Sequence, residues 1–185
     1  MTVKTLFSSS QSTNSDLLII LIDNSFKLKG YQLEIDKNCS NNISKMLKSR
    51  LLENKKGQSI TFPAFNRSHS FQVMIYCVGK LEDLEIDKTD RLGGKICSEV
   101  MGKYSNVSIS CEFSNDVNDN FAASMLHGFM LRSYSFNKYK AKTKNKIQKI
   151  LKSVEIITKS SSKVKRLYSP LKSLMDGVYL TRNLV

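Results

Sequence analysis

A three-layer α/β/α sandwich built on a mixed, mostly parallel sheet is the fold this sequence predicts, and three observations carry it. Strand and helix signals alternate along the chain, the order that lays helices against the faces of a sheet. The run Leu17-Leu-Ile-Ile-Leu-Ile22 is apolar at every position, as a central strand covered on both faces must be. At 185 residues, 41% of them apolar, the chain can bury such a core without disulfide or metal staples.

Each element has its own signal. Val3 to Phe7 alternates with polar neighbours and reads as an edge strand, followed by the central strand at Leu17 to Ile22. Ile43, Met46, Leu47 and Leu51 recur at helical spacing behind a Ser40-Asn41-Asn42 cap region, which predicts a helix over about 41–53. Ser59 to Phe62 and Phe71 to Val78 read as two strands, the second rich in β-branched and aromatic residues and closed by Gly79. Thr89 or Asp90 opens a helix with Leu92, Ile96, Val100 and Met101 on one face. Its Gly93-Gly94 pair costs about 1 kcal/mol per glycine relative to alanine, so it signals close packing against a neighbour. Val107 to Phe113 alternates as a strand, Asn118 to Tyr134 is helical, and Lys149 to Thr158 is a further strand. Ser160-Ser161-Ser162 leads into a last helix, with Pro170 expected in its first turns and Leu167, Leu171, Leu174 and Val178 in one stripe.

Composition excludes several function classes. The longest aliphatic run is far short of the roughly 20 residues of a spanning helix, and the first residues lack the build of a secretory signal, which reads as a cytosolic chain with no membrane partner. Cys39, Cys77, Cys97 and Cys111 form no CxxC pair and read as reduced, half-buried thiols. His69 and His127 are too far apart for a metal cage and read as a loop and a helix histidine. Gly79-Lys80 has no second glycine, and Gly93-Gly94-Lys95 lies inside a helical pattern, so neither cradles a phosphate. The acidic run Glu82-Asp83-Leu84-Glu85-Ile86-Asp87 reads as a solvated loop and helix entry. Ser108, Ser110 and Ser114 lack a nucleophile elbow. The sequence therefore offers no catalytic residue and no metal ligand.

Charge is concentrated at one end. Residues 132–185 hold 14 of the 29 Lys and Arg but 2 of the 16 Asp and Glu, in a chain of net charge +13. Such a block attracts nucleic acid, an anionic surface or an acidic partner domain. Lys138, Lys140, Lys142, Lys144, Lys146 and Lys149 follow one another closely beside Tyr134, Phe136 and Tyr139. These lysines are the candidate nucleic-acid contacts, non-specific because no base-reading element accompanies them.

The stretch His127-Gly-Phe-Met-Leu-Arg-Ser-Tyr-Ser-Phe-Asn-Lys-Tyr-Lys-Ala-Lys142 resembles the sequence that closes the N-terminal domain of the leucyl aminopeptidase (cytosol aminopeptidase) family. Three other places are similar to that family: Val73 to Lys80, with Cys77-Val78 in place of a glycine-leucine; Asp90-Arg-Leu-Gly-Gly-Lys-Ile96; and Gly177 to Val185. The resemblance covers about residues 70–185 and extends weakly to the start. It implies a macro-domain-like fold, with residues 1–160 as an α/β N-terminal domain and 161–185 as a helix leading to an absent C-terminal catalytic domain. It also implies two divalent ions, zinc or manganese, in that absent domain, a homo-hexamer for the intact protein, and an assembly or regulatory role for this part, inactive alone. Two other functions compete with it. One is non-specific DNA binding through the basic region 132–166; the other is a free-standing module for ADP-ribose, against which stands the lack of a glycine-rich phosphate loop.

Overall fold

The chain folds as β1 (Lys4–Ser8), β2 (Leu17–Asp23), α1 (Tyr31–Asn38), α2 (Asn42–Lys48), β3 (Ser59–Phe65), β4 (Ser70–Gly79), α3 (Ile86–Val100), β5 (Asn106–Ser110), α4 (Asp119–Ser133), β6 (Ser153–Ile157) and α5 (Ser161–Leu184). These come from a computed structural model that describes residues 3–11, 15–49, 52–53, 55–65, 70–80, 86–113, 119–134 and 149–184. The strands form one six-stranded sheet in the order β1-β6-β5-β2-β4-β3, parallel throughout except for β3, which runs antiparallel to β4 at the edge.

The period-two alternation of β2 divides the core in two. Leu17, Ile19 and Leu21 point to the side where Leu92 and Ile96 of α3, Met125 and Phe129 of α4 and Val164 of α5 pack. Leu18, Ile20 and Ile22 point to the other side, where Ile35 of α1 and Ile43 of α2 cover them. All six side chains are fully buried. The three layers are therefore α1 and α2, the sheet, and α3 to α5, as the continuous apolar run requires.

Several element limits differ from expectation, each for a local reason. α1 has no sequence signal: its buried residues are Gln32, Ile35 and Asp36, two of them polar. Long-range bonds hold it instead, from Gln32 Nε2 to Ser110 Oγ at 3.2 Å and from the Ser44 amide to Asp36 Oδ1 at 3.1 Å. That Asp36 contact replaces the expected cap at the start of α2, where Asn41 is left-handed and makes no side-chain cap bond. β3 continues past Phe62 through Pro63 because it is an edge strand. The Cys77 amide donates to Gln58 O, so even-numbered residues pair with β4 and Pro63, which has no N–H, faces outward. α3 starts at Ile86, before the expected Thr89, while β5 ends at Ser110 and β6 starts at Ser153, each shorter than the alternating stretch around it.

Pro170 is the clearest correction. α5 begins at Ser161, so Pro170 lies in the helix interior and not in its first turns. Lacking an N–H, it leaves the carbonyl of Arg166 without the usual helical donor. The buried side of α5 is also rotated from the expected stripe. Val164, Tyr168 and Met175 are buried, Leu167, Leu171 and Val178 are half-buried, and Leu174 is 60% exposed. Tyr168 is drawn inward by Phe7 of β1, with ring centroids 5.8 Å apart.

Candidate functional site

Open α/β sheets take ligands where neighbouring parallel strands send their connections to opposite faces, at the carboxyl ends of the strands. Here that place lies between β2, which leads to α1 on one face, and β5, which leads to α4 on the other. The chain fills it with its own carboxylate. Glu112, two residues beyond β5, accepts the Tyr31 amide at the start of α1 through Oε2. Gly30 makes the approach possible: its φ is +52°, and a Cβ there would stand 2.3 Å from Glu112 Oε2. Burial holds the Glu112 carboxyl above the ordinary glutamate range, while the Tyr31 amide and the Lys159 charge pull it partly back. The α1 amides that could receive a phosphate are thus engaged by Glu112, which removes the support for the ADP-ribose reading.

The neighbouring polar groups are wired to one another. Glu155, buried on the α1 side of β6, accepts Ser8 Oγ at 2.9 Å and Ser108 Oγ at 2.6 Å. Ser110 is bonded to Gln32. Among the described residues none of these serines is bonded to a histidine. His127, on α4, places Nδ1 3.2 Å from Asp90 Oδ2 of α3, and its Nε2 is buried without a hydrogen-bond partner among the described residues.

Among the described residues no group of three or more His, Cys, Asp or Glu could hold an ion. Cys39, Cys77 and Cys97 are buried and Cys111 half-buried, all as free thiols. Burial pushes the Cys97 thiol up to about 12, and it raises Cys39, Cys77 and Cys111 as well, so all four rest as protonated thiols. His69 and residues 82–85 of the acidic run lie outside the described residues.

The glycines work in packing. A Cβ on Gly93 would come within 1.9 Å of Met125 O, and one on Gly128 within 1.9 Å of Asp90 O, so α3 and α4 touch backbone to backbone where sequence reasoning expected a close approach. Gly79 ends β4 in a turn with φ +83°.

The most developed surface feature is where α5 leaves the domain. Beyond Met175 the helix is held by the last turn of α4. The rings of Tyr134 and Tyr179 pack tilted at 39° with centroids 5.0 Å apart, Arg182 lies 5.4 Å above the Tyr134 ring, and Tyr134 Oη donates to Asn183 Oδ1 at 2.9 Å. Tyr179 Oη donates to Met130 O, and Arg182 reaches Leu131 O at 3.4 Å. Tyr134, which the sequence places beside the lysine run, is thus engaged within the chain. Sequence reasoning missed this latch because Tyr134 and Tyr179 sit 45 positions apart. Outside the latch Leu174, Leu180 and Leu184 are 60%, 62% and 79% exposed.

Of the six candidate lysines, Lys149 is exposed and its amide donates to Gly102 O at 3.1 Å. Lys138, Lys140, Lys142, Lys144 and Lys146 lie outside the described residues. No helix among the described residues is long and apolar enough to cross a membrane.

Comparison with known proteins agrees with this architecture. Residues 19–143 match the model of the cytosol aminopeptidase family, N-terminal domain. A probable cytosol aminopeptidase of Rickettsia bellii is 28% identical over 183 residues, which cover 96% of this chain and 36% of the relative. One of Rickettsia felis is likewise 28% identical, with 96% and 37% covered. The chain thus spans little more than a third of the length of these relatives. Among solved structures, a mutant of tomato leucine aminopeptidase superposes with a TM-score of 0.69 at 16% identity, covering all of this chain and 39% of that one. The bottromycin maturation enzyme BotP in complex with Mn gives a TM-score of 0.62 at 13% identity, covering 91% and 31%. At these identities the structures are similar in fold alone.

Proposed function

Because the chain belongs to the cytosol aminopeptidase family, matching its N-terminal domain, we propose that it serves as the non-catalytic assembly or regulatory domain of a metal-dependent leucyl aminopeptidase. The single observation that carries this reading is the exit of α5. The 24-residue helix, held to α4 as far as Asn183, leaves Leu174, Leu180 and Leu184 uncovered, and an apolar surface of that kind is suited to a further domain. In this reading residues 161–185 connect to a C-terminal domain that holds two zinc or manganese ions and releases N-terminal amino acids from peptides. The intact protein is a cytoplasmic homo-hexamer. In this reading the residues of this chain contribute no step of the hydrolysis; their part is to position and assemble.

The test is release of an aromatic amine from a leucyl substrate by residues 1–185 and by the product of the complete reading frame, each with added manganese or zinc. The expected result is turnover by the complete product and none by the 185-residue chain. Turnover by the short chain above a no-enzyme blank, or its stoichiometric binding of two divalent ions, overturns the reading.

A further inference from the structure

The edge of the sheet at the amino ends of its parallel strands gathers four exposed lysines through backbone hydrogen bonds. The Lys4 amide donates to Lys152 O at 2.8 Å, the Lys152 amide to Ser105 O at 2.7 Å, and the Lys149 amide to Gly102 O at 3.1 Å. Gly102 and Ser105 flank Lys103, so Lys4, Lys103, Lys149 and Lys152 come together from three separate parts of the sequence. None of the four has an ion-pair partner among the described residues. The carboxylate bonded into this edge, Asp16, accepts the amides of Ser105 and Asn106 at 2.8 and 3.0 Å, and Glu99 in the last turn of α3 is taken by Ser59. Between Lys149 and Lys152 stands Ile150, 63% exposed.

We infer that this edge is a docking surface for an acidic protein segment that carries an apolar residue. Four unpaired ammonium groups draw in a negatively charged partner over roughly 8–10 Å at moderate ionic strength. An exposed isoleucine among them supplies the apolar centre, with a charged rim, that a protein interface has. A phosphate backbone would use the lysines but leave Ile150 in water. Among the described residues, the ring beside this edge is not open for base stacking either, since Tyr104 packs against the core. The inference does not rest on the aminopeptidase reading, and its test uses no peptidase activity.

The test measures fluorescence anisotropy of three labelled probes with the 185-residue chain: a glutamate-rich peptide carrying leucines, a control peptide of the same length and charge with serine in place of each leucine, and a short DNA duplex. The leucine-bearing peptide is expected to bind about ten-fold more tightly than the serine control, because burying the Ile150 side chain adds an apolar contact. Ile150→Ser removes that difference while leaving the serine control unchanged. Replacing the four lysines by glutamine weakens both peptides about ten-fold or more, in line with the loss of several exposed ion pairs. Ile150→Ser and the glutamine variant change exposed side chains, and their melting temperatures verify folding; the Lys149→Gln, Lys152→Gln pair repeats the charge arm with a smaller change. No peptide binding at low salt overturns the inference, as does a duplex that binds more tightly than either peptide and is indifferent to Ile150→Ser.

Discussion

Gly128→Ala tests whether α3 and α4 meet through their backbones. In the native packing an added Cβ would lie 1.9 Å from Asp90 O and 2.5 Å from Asp90 C. Both obstacles are main-chain atoms, so no side chain can swing away. Reaching an ordinary contact of about 3.5 Å requires the two helices to separate by roughly 1.5 Å, which loosens Leu92, Ile96, Met125 and Phe129 between them. Overpacking of this kind costs about 1–3 kcal/mol, and backbone obstruction places it at the upper end. Alanine returns about 1 kcal/mol of helix propensity, leaving a net loss of about 2 kcal/mol. For a domain of this size that is a fall in Tm of about 4–8 °C, read by circular dichroism. The same substitution gives its own controls. At Gly94 the added Cβ would be 3.7 Å from Gly128 O, an ordinary contact, and at Gly177 nothing lies within 4 Å. Both should melt at or above the wild type, by up to about 1 kcal/mol of propensity. A Gly128→Ala protein that melts as high as Gly177→Ala would refute the backbone contact.

Pro170→Ala restores a donor for the Arg166 carbonyl inside α5 and should stabilise the protein by at least about 1 kcal/mol in urea unfolding; an unchanged midpoint would show that the helix is already relaxed around the proline. Glu112→Gln should alter the pH dependence of stability in a direction opposite to most carboxylates. Because burial raises the folded carboxyl above its unfolded value, the wild type gains stability as pH falls through the raised range. The stability difference between wild type and Glu112→Gln should therefore move in favour of the wild type on acidification from neutral pH. Movement the other way would mean that the Tyr31 amide outweighs burial.

What could be read from the sequence was whatever depends on neighbours along the chain. Leu17 to Ile22 disclosed a strand covered on both sides because both faces of its own repeat are apolar, and Gly93-Gly94 disclosed a tight helix contact because glycine has no other use in a helix. α1 could not be read, since the bonds that hold it come from Ser110, Glu112 and Ser44, and its buried Gln32 and Asp36 look like surface residues on their own. The α5 stripe was misplaced by one position for a similar reason. Tyr168 and Met175 are less apolar than Leu167 and Leu174, yet Phe7, far away in sequence, makes their side the buried one. The contact of Tyr134 with Tyr179 could not be read either, because Tyr179 lies on another helix.

The pairing of β1 with β6 ties the start of the chain to its end, Lys4 beside Ser153 and Ser8 beside Ile157. On a ribosome, at roughly 5–20 residues per second, β1 is made many seconds before the only strand it can join. Until then its apolar side, Phe7 included, has neither β6 beneath the hydrogen-bond ladder nor Tyr168 to cover it. The sheet can nucleate around β2 and β4, whose pairing closes a shorter loop, but it cannot be completed until β6 has emerged, nor covered over Phe7 until α5 follows. In a longer polypeptide the segment after α5 would then appear only as the first domain is able to close. The order of synthesis would favour one finished unit before the next begins.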